Sequence, residues 1–378
     1  MAQSGVKTIY INGRFLTQNI TGVQRYAHEI IKALDQLIED QKIDNVKYQF
    51  ILLSPQKSLV HSLSLKNIEW RRVGKKSGHA WEQLDLPSYV KTGLLFCPGN
   101  TAPLQILHSK KKTLVTVHDL SYLYYPEAYS ISFKLWYRFL IPLIMRNANA
   151  VITVSESEKK SILKYYPYVK NRLSAIQNGG LPEKQDSLIR VTADSRYKAT
   201  ILYVGSLSRR KNFQGVIKAL EIVNNLFDIC LVVVGTGGIS FRTADFQIYQ
   251  SMEKRIFFKG QKNNFDELIS FYKKSTCLVF PSFYEASPLP PLEAMACGCP
   301  VIVSNIPALQ ERCGDAALYC DPNAPEDIAD KIIRLLKNKE LRESIIQKGF
   351  LRAKKYSWEK SAWQTFSIME KILQSNPF

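Results

Sequence analysis

The sequence predicts an α/β protein made of two doubly wound domains in tandem, and three observations predict it. A length of 378 residues exceeds what one ordinary core serves. Short apolar runs that stop at glycine or polar residues alternate with amphipathic stretches, and this series occurs twice. Between the two series lies a polar segment, 181–198, that contains Pro182 and reads as a linker. The expected organisation is a first domain over 1–180, the linker over 181–198, a second domain over 199–355 and a terminal helix over 356–378.

The first domain opens with a strand over 8–11 that stops at Asn12-Gly13, followed by a polar loop over 15–22. A helix comes next, with Ile30, Ile31, Leu34, Leu37 and Ile38 at helical spacing. Gly22 falls at its start, where backbone amides can receive a phosphate, although most such glycines serve only the turn. Further strands are expected over 49–54, 94–97, 113–117 and 150–154. The third of these delivers His118-Asp119 at its carboxyl end, where an imidazole can serve a ligand hydroxyl or merely cap a loop. Ser155, with Glu158 three residues on, has the spacing of a capping box.

The second domain repeats this logic. A strand over 200–205 leads into Arg209, Arg210 and Lys211 and then a helix through 216–223. Cations beside a helix start suit a diphosphate, yet three in a row also fit a solvated loop. After a strand over 230–234, Gly235, Gly237 and Gly238 lack the full Gly-x-Gly-x-x-Gly and its acidic partner, so no dinucleotide site is read there. A short strand over 257–260 and a helix over 264–273 follow. The apolar run over 277–282 is broken at Pro281, and a helix over 292–297 is stopped by Gly298 before a strand over 300–304. Glu285 thus stands in the loop beyond a strand's carboxyl end, and Glu293 in the first turns of the next helix. Two carboxylates so placed can accept hydrogen bonds from a sugar ring and a ribose; the bland alternative is a loop glutamate and a helix-start glutamate favoured by the macrodipole. Amphipathic helices over 326–337 and 357–373 complete the domain and the terminus.

A net charge of +18, concentrated in the first 180 residues, leaves nucleic acid and anionic membrane open as partners. The clusters Arg71, Arg72, Lys75, Lys76 and Lys110 to Lys112 are expected in solvated loops. The seven cysteines sit mostly in apolar runs, as reduced core thiols do, and Cys297 and Cys299 lack the histidines of a zinc site; a reducing cytoplasm is expected. No signal peptide or membrane span is read, because the longest apolar candidate, 135–145, is broken by Arg138 and Pro142. Phe133, Trp136, Tyr137 and Phe139, with Lys134 and Arg138, read either as core or as an interfacial patch.

Residues 285–298, Glu-Ala-Ser-Pro-Leu-Pro-Pro-Leu-Glu-Ala-Met-Ala-Cys-Gly, resemble the signature Glu-Gly-Phe-Gly-Leu-Pro-Pro-Leu-Glu-Ala-Met-Ala-Cys-Gly of retaining glycosyltransferases of the GT-B class, family 4. Ala286, Ser287 and Pro288 depart from it, and Pro288 has no N–H to offer a sugar. Arg210-Lys211-Asn212 is similar to the family's Pro-Arg-Lys-Asn, and Asn12 to Phe15 and Thr21 to Tyr26 resemble its N-terminal loop. The resemblance implies two Rossmann-like domains facing a cleft, with the last helix crossing back to the first. It implies donor binding by Gly22, Arg210, Lys211, Glu285, Ser287, Leu289 and Glu293, and acceptor binding by Arg25, His118 and Asp119. Catalysis falls to His118, Glu285, Arg210 and Lys211, with no metal and no cofactor besides the nucleoside diphosphate sugar.

The implied reaction moves a hexose, with retention, to a lipid-linked or oligosaccharide acceptor in surface polysaccharide synthesis. Val23 to Tyr26 and Trp81 to Leu84 are similar to mannosyl- and rhamnosyltransferases, which points to GDP-mannose. A cytoplasmic protein in peripheral contact with the anionic inner membrane, without nucleic acid as partner, is expected. The alternatives are a sugar-nucleotide epimerase or non-catalytic sugar-nucleotide binding protein of the same fold, and a basic nucleic-acid-binding protein, for which no zinc, helix-turn-helix or RNA-binding signature is present.

Overall fold

The computed structural model describes residues 5–57, 59–181, 197–235, 250–262 and 265–375. Most of the expected linker, Gly237, Gly238 and Asn264 lie outside the described residues. The chain divides into two units, one formed by the residues up to Gly179 together with Ser357–Phe378, the other by Gly180–Tyr356.

Among the described residues the first unit holds seven parallel strands: β1 (Lys7–Asn12), β2 (Tyr48–Ser54), β3 (Glu69–Arg72), β4 (Leu94–Cys97), β5 (Lys112–Thr116), β6 (Ala150–Thr153) and β7 (Leu173–Ala175). Their order is β3-β2-β1-β4-β5-β6-β7. The central strands are apolar and buried, as a sheet covered on both faces requires; all four residues of β4 are buried. β3 and β7 are additions to the sequence reading. β3 carries Arg71 and Arg72, expected in a loop, because an edge strand tolerates charge and Glu69 pairs with Arg71 at 2.5 Å. Lys112 likewise opens β5 rather than lying in the loop with Lys110 and Lys111.

The terminal helix Trp358–Gln374 belongs to this first unit although it is last in sequence. It lies on the Gly22–Glu39 helix, and its Phe366 meets Tyr48 and Phe50 at ring distances of 5.1 and 6.2 Å. The Tyr48 hydroxyl donates to Glu370 at 2.5 Å, and Ser361 Oγ donates to the Gln177 carbonyl at 2.5 Å. A Cβ on Gly179 would come within 2.3 Å of the Trp358 nitrogen, so the chain here passes too closely for any side chain.

The second unit holds β8 (Ala199–Val204), β9 (Ile229–Val234), β10 (Ile256–Phe258), β11 (Cys277–Phe280), β12 (Val301–Ser304) and β13 (Leu318–Cys320), in the order β10-β9-β8-β11-β12-β13, all parallel. Every residue of β8 is buried. Gly235, at φ 149°, follows β9 where a Cβ would sit 1.9 Å from the Gly205 carbonyl oxygen, so glycine is required for this approach of two strand ends. Helices Pro307–Cys313 and Lys339–Ala353 were not legible as separate elements; the second lacks a clear apolar stripe and buries only Ile345 and Gly349.

In each sheet the strand order reverses beside the first strand of its unit, between β1 and β4 and between β8 and β11. Open parallel sheets receive ligands outside the carboxyl ends of the strands at such points.

Among the described residues no helix is long and apolar enough to cross a membrane. The Ile131–Asn147 helix does expose an apolar stripe: Ile131, Leu135 and Phe139 are 73%, 62% and 55% exposed, one above the other at i, i+4 and i+8. The helix has no acidic residue and carries Lys134, Arg138 and Arg146. Of the four aromatics read as a patch, Tyr137 is buried and Phe133 is stacked between Tyr129 and Tyr137 at 4.8 and 4.0 Å. Phe133, Trp136 and Tyr137 pack on the core of this unit because they lie on the helix side that completes it, and Phe139, of the four, stands with Ile131 and Leu135 on the exposed stripe.

Candidate active site

In the second unit, Arg209–Lys211 forms a single tight turn after β8, and Asn212 ends it in the left-handed region at φ 55°. Asparagine tolerates that conformation, and its Oδ1 then accepts from the Gly215 N–H at 3.2 Å, capping the Phe213–Asn224 helix. The turn is tied to the loop after β11. The Phe283 N–H donates to the Arg210 carbonyl at 2.9 Å, and Arg210 Nη1 donates to the Tyr284 carbonyl at 2.7 Å. Lys211 Nζ donates to Glu285 Oε1 at 2.5 Å, and Arg210 Nη1 is 3.7 Å from the same oxygen. Two cations from β8 and one carboxylate from β11 therefore meet at the β8/β11 reversal.

Glu285 is 9% exposed. Burial pushes its carboxyl up, but Lys211 and then Arg210 outweigh that and hold it below the usual carboxylate range. The carboxylate is thus ionised, and Arg210, Lys211 and Glu285 together carry net positive charge.

Glu293 lies on the Pro290–Ala296 helix, 1% exposed, where the Tyr272 hydroxyl donates to its Oε2 at 2.8 Å. Leu289 caps that helix and is buried, while Ser287 is half-buried. Sequence reasoning had no view of Tyr272 or of Arg312. Arg312 is 1% exposed and donates through Nη2 to Ser287 Oγ at 2.8 Å and through Nε to the Pro288 carbonyl at 3.2 Å. Both contacts join residues more than twenty positions apart, which no local pattern signals.

In the first unit, Gly22 opens its helix in an exposed position where a Cβ would meet nothing within 4 Å, and Arg25 is half-buried one turn on. His118 follows β5 as expected and is buried against Tyr26, with ring centroids 4.6 Å apart. Its Nε2 is 2.8 Å from the Pro98 carbonyl. A carbonyl only accepts, so Nε2 carries the proton and the neutral ring offers Nδ1 as an acceptor. Burial lowers the His118 pKa and disfavours the cation. Asp119 Oδ1 accepts from the Ser121 N–H at 2.9 Å and its hydroxyl at 2.5 Å, which fixes the turn that follows.

A buried polar group at the β1/β4 reversal was also missed. Asn12 Nδ2 and Thr101 Oγ1 donate to Glu82 Oε1 at 2.6 and 2.7 Å, Arg14 Nη2 donates to Thr101 Oγ1 at 2.9 Å, and Arg14 Nε stands 3.4 Å from Glu82. Glu82 is fully buried; burial pushes its carboxyl up, yet Arg14 leads the groups that hold it down to about 2.

These histidines predict a pH dependence. His28 is lowered from 6.5 to about 4, by burial first and then by Lys32 and His61. A depressed histidine stabilises the fold above its ordinary pKa and loses that contribution as acid forces a proton onto it. The melting temperature should therefore fall between pH 6.5 and about 4, with His118 acting in the same direction. His28→Gln should flatten this limb in a thermal melt series; an unchanged slope would contradict it.

The comparisons with known proteins agree with this geometry. The family model described as "Glycosyl transferases group 1" matches residues 185–352, and "Glycosyltransferase Family 4" matches residues 88–180. The chain is 27% identical to the O-antigen chain mannosyltransferase B of Escherichia coli, over 92% of this chain and 95% of that protein. It is 30% identical to the O-antigen chain mannosyltransferase RfbU of Salmonella typhimurium, over 55% and 56% of the two chains. The sucrose-phosphate synthase of Thermosynechococcus elongatus shares the fold, with a TM-score of 0.72, 19% identity and coverage of 97% of this chain and 99% of that one. One family model falls in each unit, family 4 over residues 88–180 and group 1 over residues 185–352, and together with the relatives they show a glycosyltransferase, whose fold is that of the GT-B class.

Proposed function

We propose that the protein transfers mannose, with retention, from GDP-mannose to a lipid-linked or oligosaccharide acceptor in surface polysaccharide synthesis. The observation that carries this reading is the convergence of Lys211 and Arg210 on ionised Glu285 at the β8/β11 reversal. The two mannosyltransferase relatives support the choice of sugar.

In this reading the donor diphosphate takes its place against Lys211 and Arg210, and their charge stabilises the leaving group without a metal. Glu285 holds the sugar and Glu293 the ribose. The bond from the anomeric carbon to the diphosphate oxygen breaks as the acceptor hydroxyl oxygen bonds to the same face. The hydroxyl proton passes to the departing diphosphate, and nucleoside diphosphate is released. The basic first unit, with Arg25, His118 and Asp119, receives the acceptor, and His118 Nδ1 can accept a hydroxyl proton in a hydrogen bond.

A thermal-shift panel of GDP-, UDP-, dTDP- and ADP-sugars without metal tests the donor. GDP-mannose should raise the melting temperature of the wild type and not that of Lys211→Ala; stabilisation by another nucleotide alone would overturn the donor, and by none the whole reading.

The same reading places the protein at an anionic membrane surface through Ile131, Leu135 and Phe139, flanked by Lys134, Arg138 and Arg146. The double variant Leu135→Ser, Phe139→Ser should weaken co-sedimentation with phosphatidylglycerol vesicles about tenfold. Equal binding by variant and wild type would remove that contact.

A further inference from the structure

We propose that Asn100 is a positioning residue of the transfer reaction, whose side chain fixes the orientation and the tautomer of the His118 imidazole. The inference rests on the reading that gives His118 to the acceptor.

Asn100 stands just past the end of β4, beside β5. The two strands pair in register as far as Cys97 opposite Val115. Beyond that point the chain turns at Pro98-Gly99, and Asn100 clasps it to the end of β5. Its N–H donates to the Thr116 carbonyl at 2.9 Å, and its Oδ1 accepts from the His118 N–H at 2.7 Å. The side-chain oxygen thus takes the part that a main-chain carbonyl plays in a ladder. To reach there Asn100 adopts the left-handed region at φ 60°, which glycine, asparagine and aspartate tolerate best.

The clasp determines where Pro98 lies. With Asn100 tied to both Thr116 and His118, the Pro98 carbonyl comes to 2.8 Å from His118 Nε2. A ring nitrogen that faces a carbonyl carries the proton, so the bond sets the tautomer and leaves Nδ1 as an acceptor. Tyr26 holds the imidazole plane edge-on at 4.6 Å, and its hydroxyl stands 3.1 Å from Thr116 Oγ1 on β5. His118 is buried, and burial disfavours its cation against the pull of the Pro98 carbonyl and of Asp119. Among the described residues no hydrogen bond is made to Nδ1. His118 follows β5, beyond the carboxyl end of the sheet, where parallel sheets take ligands. A fixed Nδ1 there accepts from a sugar hydroxyl; a ring that turns or exchanges tautomers offers that acceptor only part of the time.

Nitrogen-15 magnetic resonance of histidine-labelled protein, with His118 assigned through His118→Gln, tests this alongside kinetics of wild type, Asn100→Gly and Asn100→Asp. Wild type should show a hydrogen-bonded Nε2–H proton and an unprotonated Nδ1. Asn100→Gly accepts the same φ but has no Oδ1, and should lose that proton to solvent exchange and average the two nitrogen shifts. It should raise the acceptor KM about tenfold and leave GDP-mannose binding, by isothermal titration, within about twofold. Asn100→Asp keeps both the φ and an oxygen acceptor, and should recover most of the loss. A proton on Nδ1 in wild type, an unchanged His118 in Asn100→Gly, equal losses for acceptor and donor, or an Asn100→Asp no better than Asn100→Gly would overturn the inference and leave the enzyme reading standing. The first of these is read on wild type, so the test survives a variant that does not fold. Wild type that transfers mannose to no saccharide acceptor would instead remove the reading on which the inference rests.

Discussion

Replacing Lys211 with methionine should lower kcat/KM for sugar transfer by about a hundredfold to a thousandfold, the usual loss when one charge-stabilising donor is removed from a developing anion. The ammonium is the cation nearest the buried Glu285 carboxylate, at 2.5 Å, and Arg210 at 3.7 Å only partly replaces it. Removing Lys211 also takes away the leading electrostatic support for ionised Glu285, so the carboxyl pKa should rise as burial gains the upper hand. Lys211→Arg should not restore full activity, because a planar fork does not reproduce the single close contact that the compact ammonium makes with Glu285 Oε1 at 2.5 Å. Steady-state kinetics with a spectroscopic check of folding measures this. A loss smaller than about fivefold would mean that the diphosphate is not held here.

Glu82→Ala should destabilise the first unit by about 3–5 kcal/mol, because it leaves the Arg14 guanidinium buried beside the vacated site. Arg14 is 6% exposed, and Glu82 accepts from both Asn12 and Thr101, so the loss spreads to two further polar groups. The joint variant Arg14→Met, Glu82→Met should recover much of that loss, since removing both charges avoids an unpaired ion. Denaturant unfolding followed by tryptophan fluorescence reads it, as Trp81 is fully buried beside Glu82. A change below about 1 kcal/mol would show that water, not Arg14, compensates the carboxylate.

The α/β alternation was legible because parallel strands buried on both faces are short continuous apolar runs, and β4, β8 and β11 are all of this kind. β3 was not, because Glu-Trp-Arg-Arg at a sheet edge looks like a loop. Arg210, Lys211 and Glu285 were legible because each follows directly on a strand's carboxyl end, and the structure brings these three together. Gly22 and His118 also stand where strand and helix boundaries placed them. What the sequence hid was the partner of each group. Tyr272 on Glu293, Arg312 on Ser287 and Arg14 on Glu82 are contacts set by the packing of separate elements, and no spacing within one element foretells them. The proton on His118 Nε2 was hidden for the same reason, since the Pro98 carbonyl that fixes it comes from a different strand's loop.

Retaining transfer is tested most directly by incubating the protein with GDP-α-mannose and a lipid-diphosphate-linked saccharide in the presence of a chelator, and reading the new linkage by nuclear magnetic resonance. The account predicts release of GDP together with an α-linked mannose on the acceptor. A β-linked product, or release of GDP that depends on added divalent metal, would contradict it.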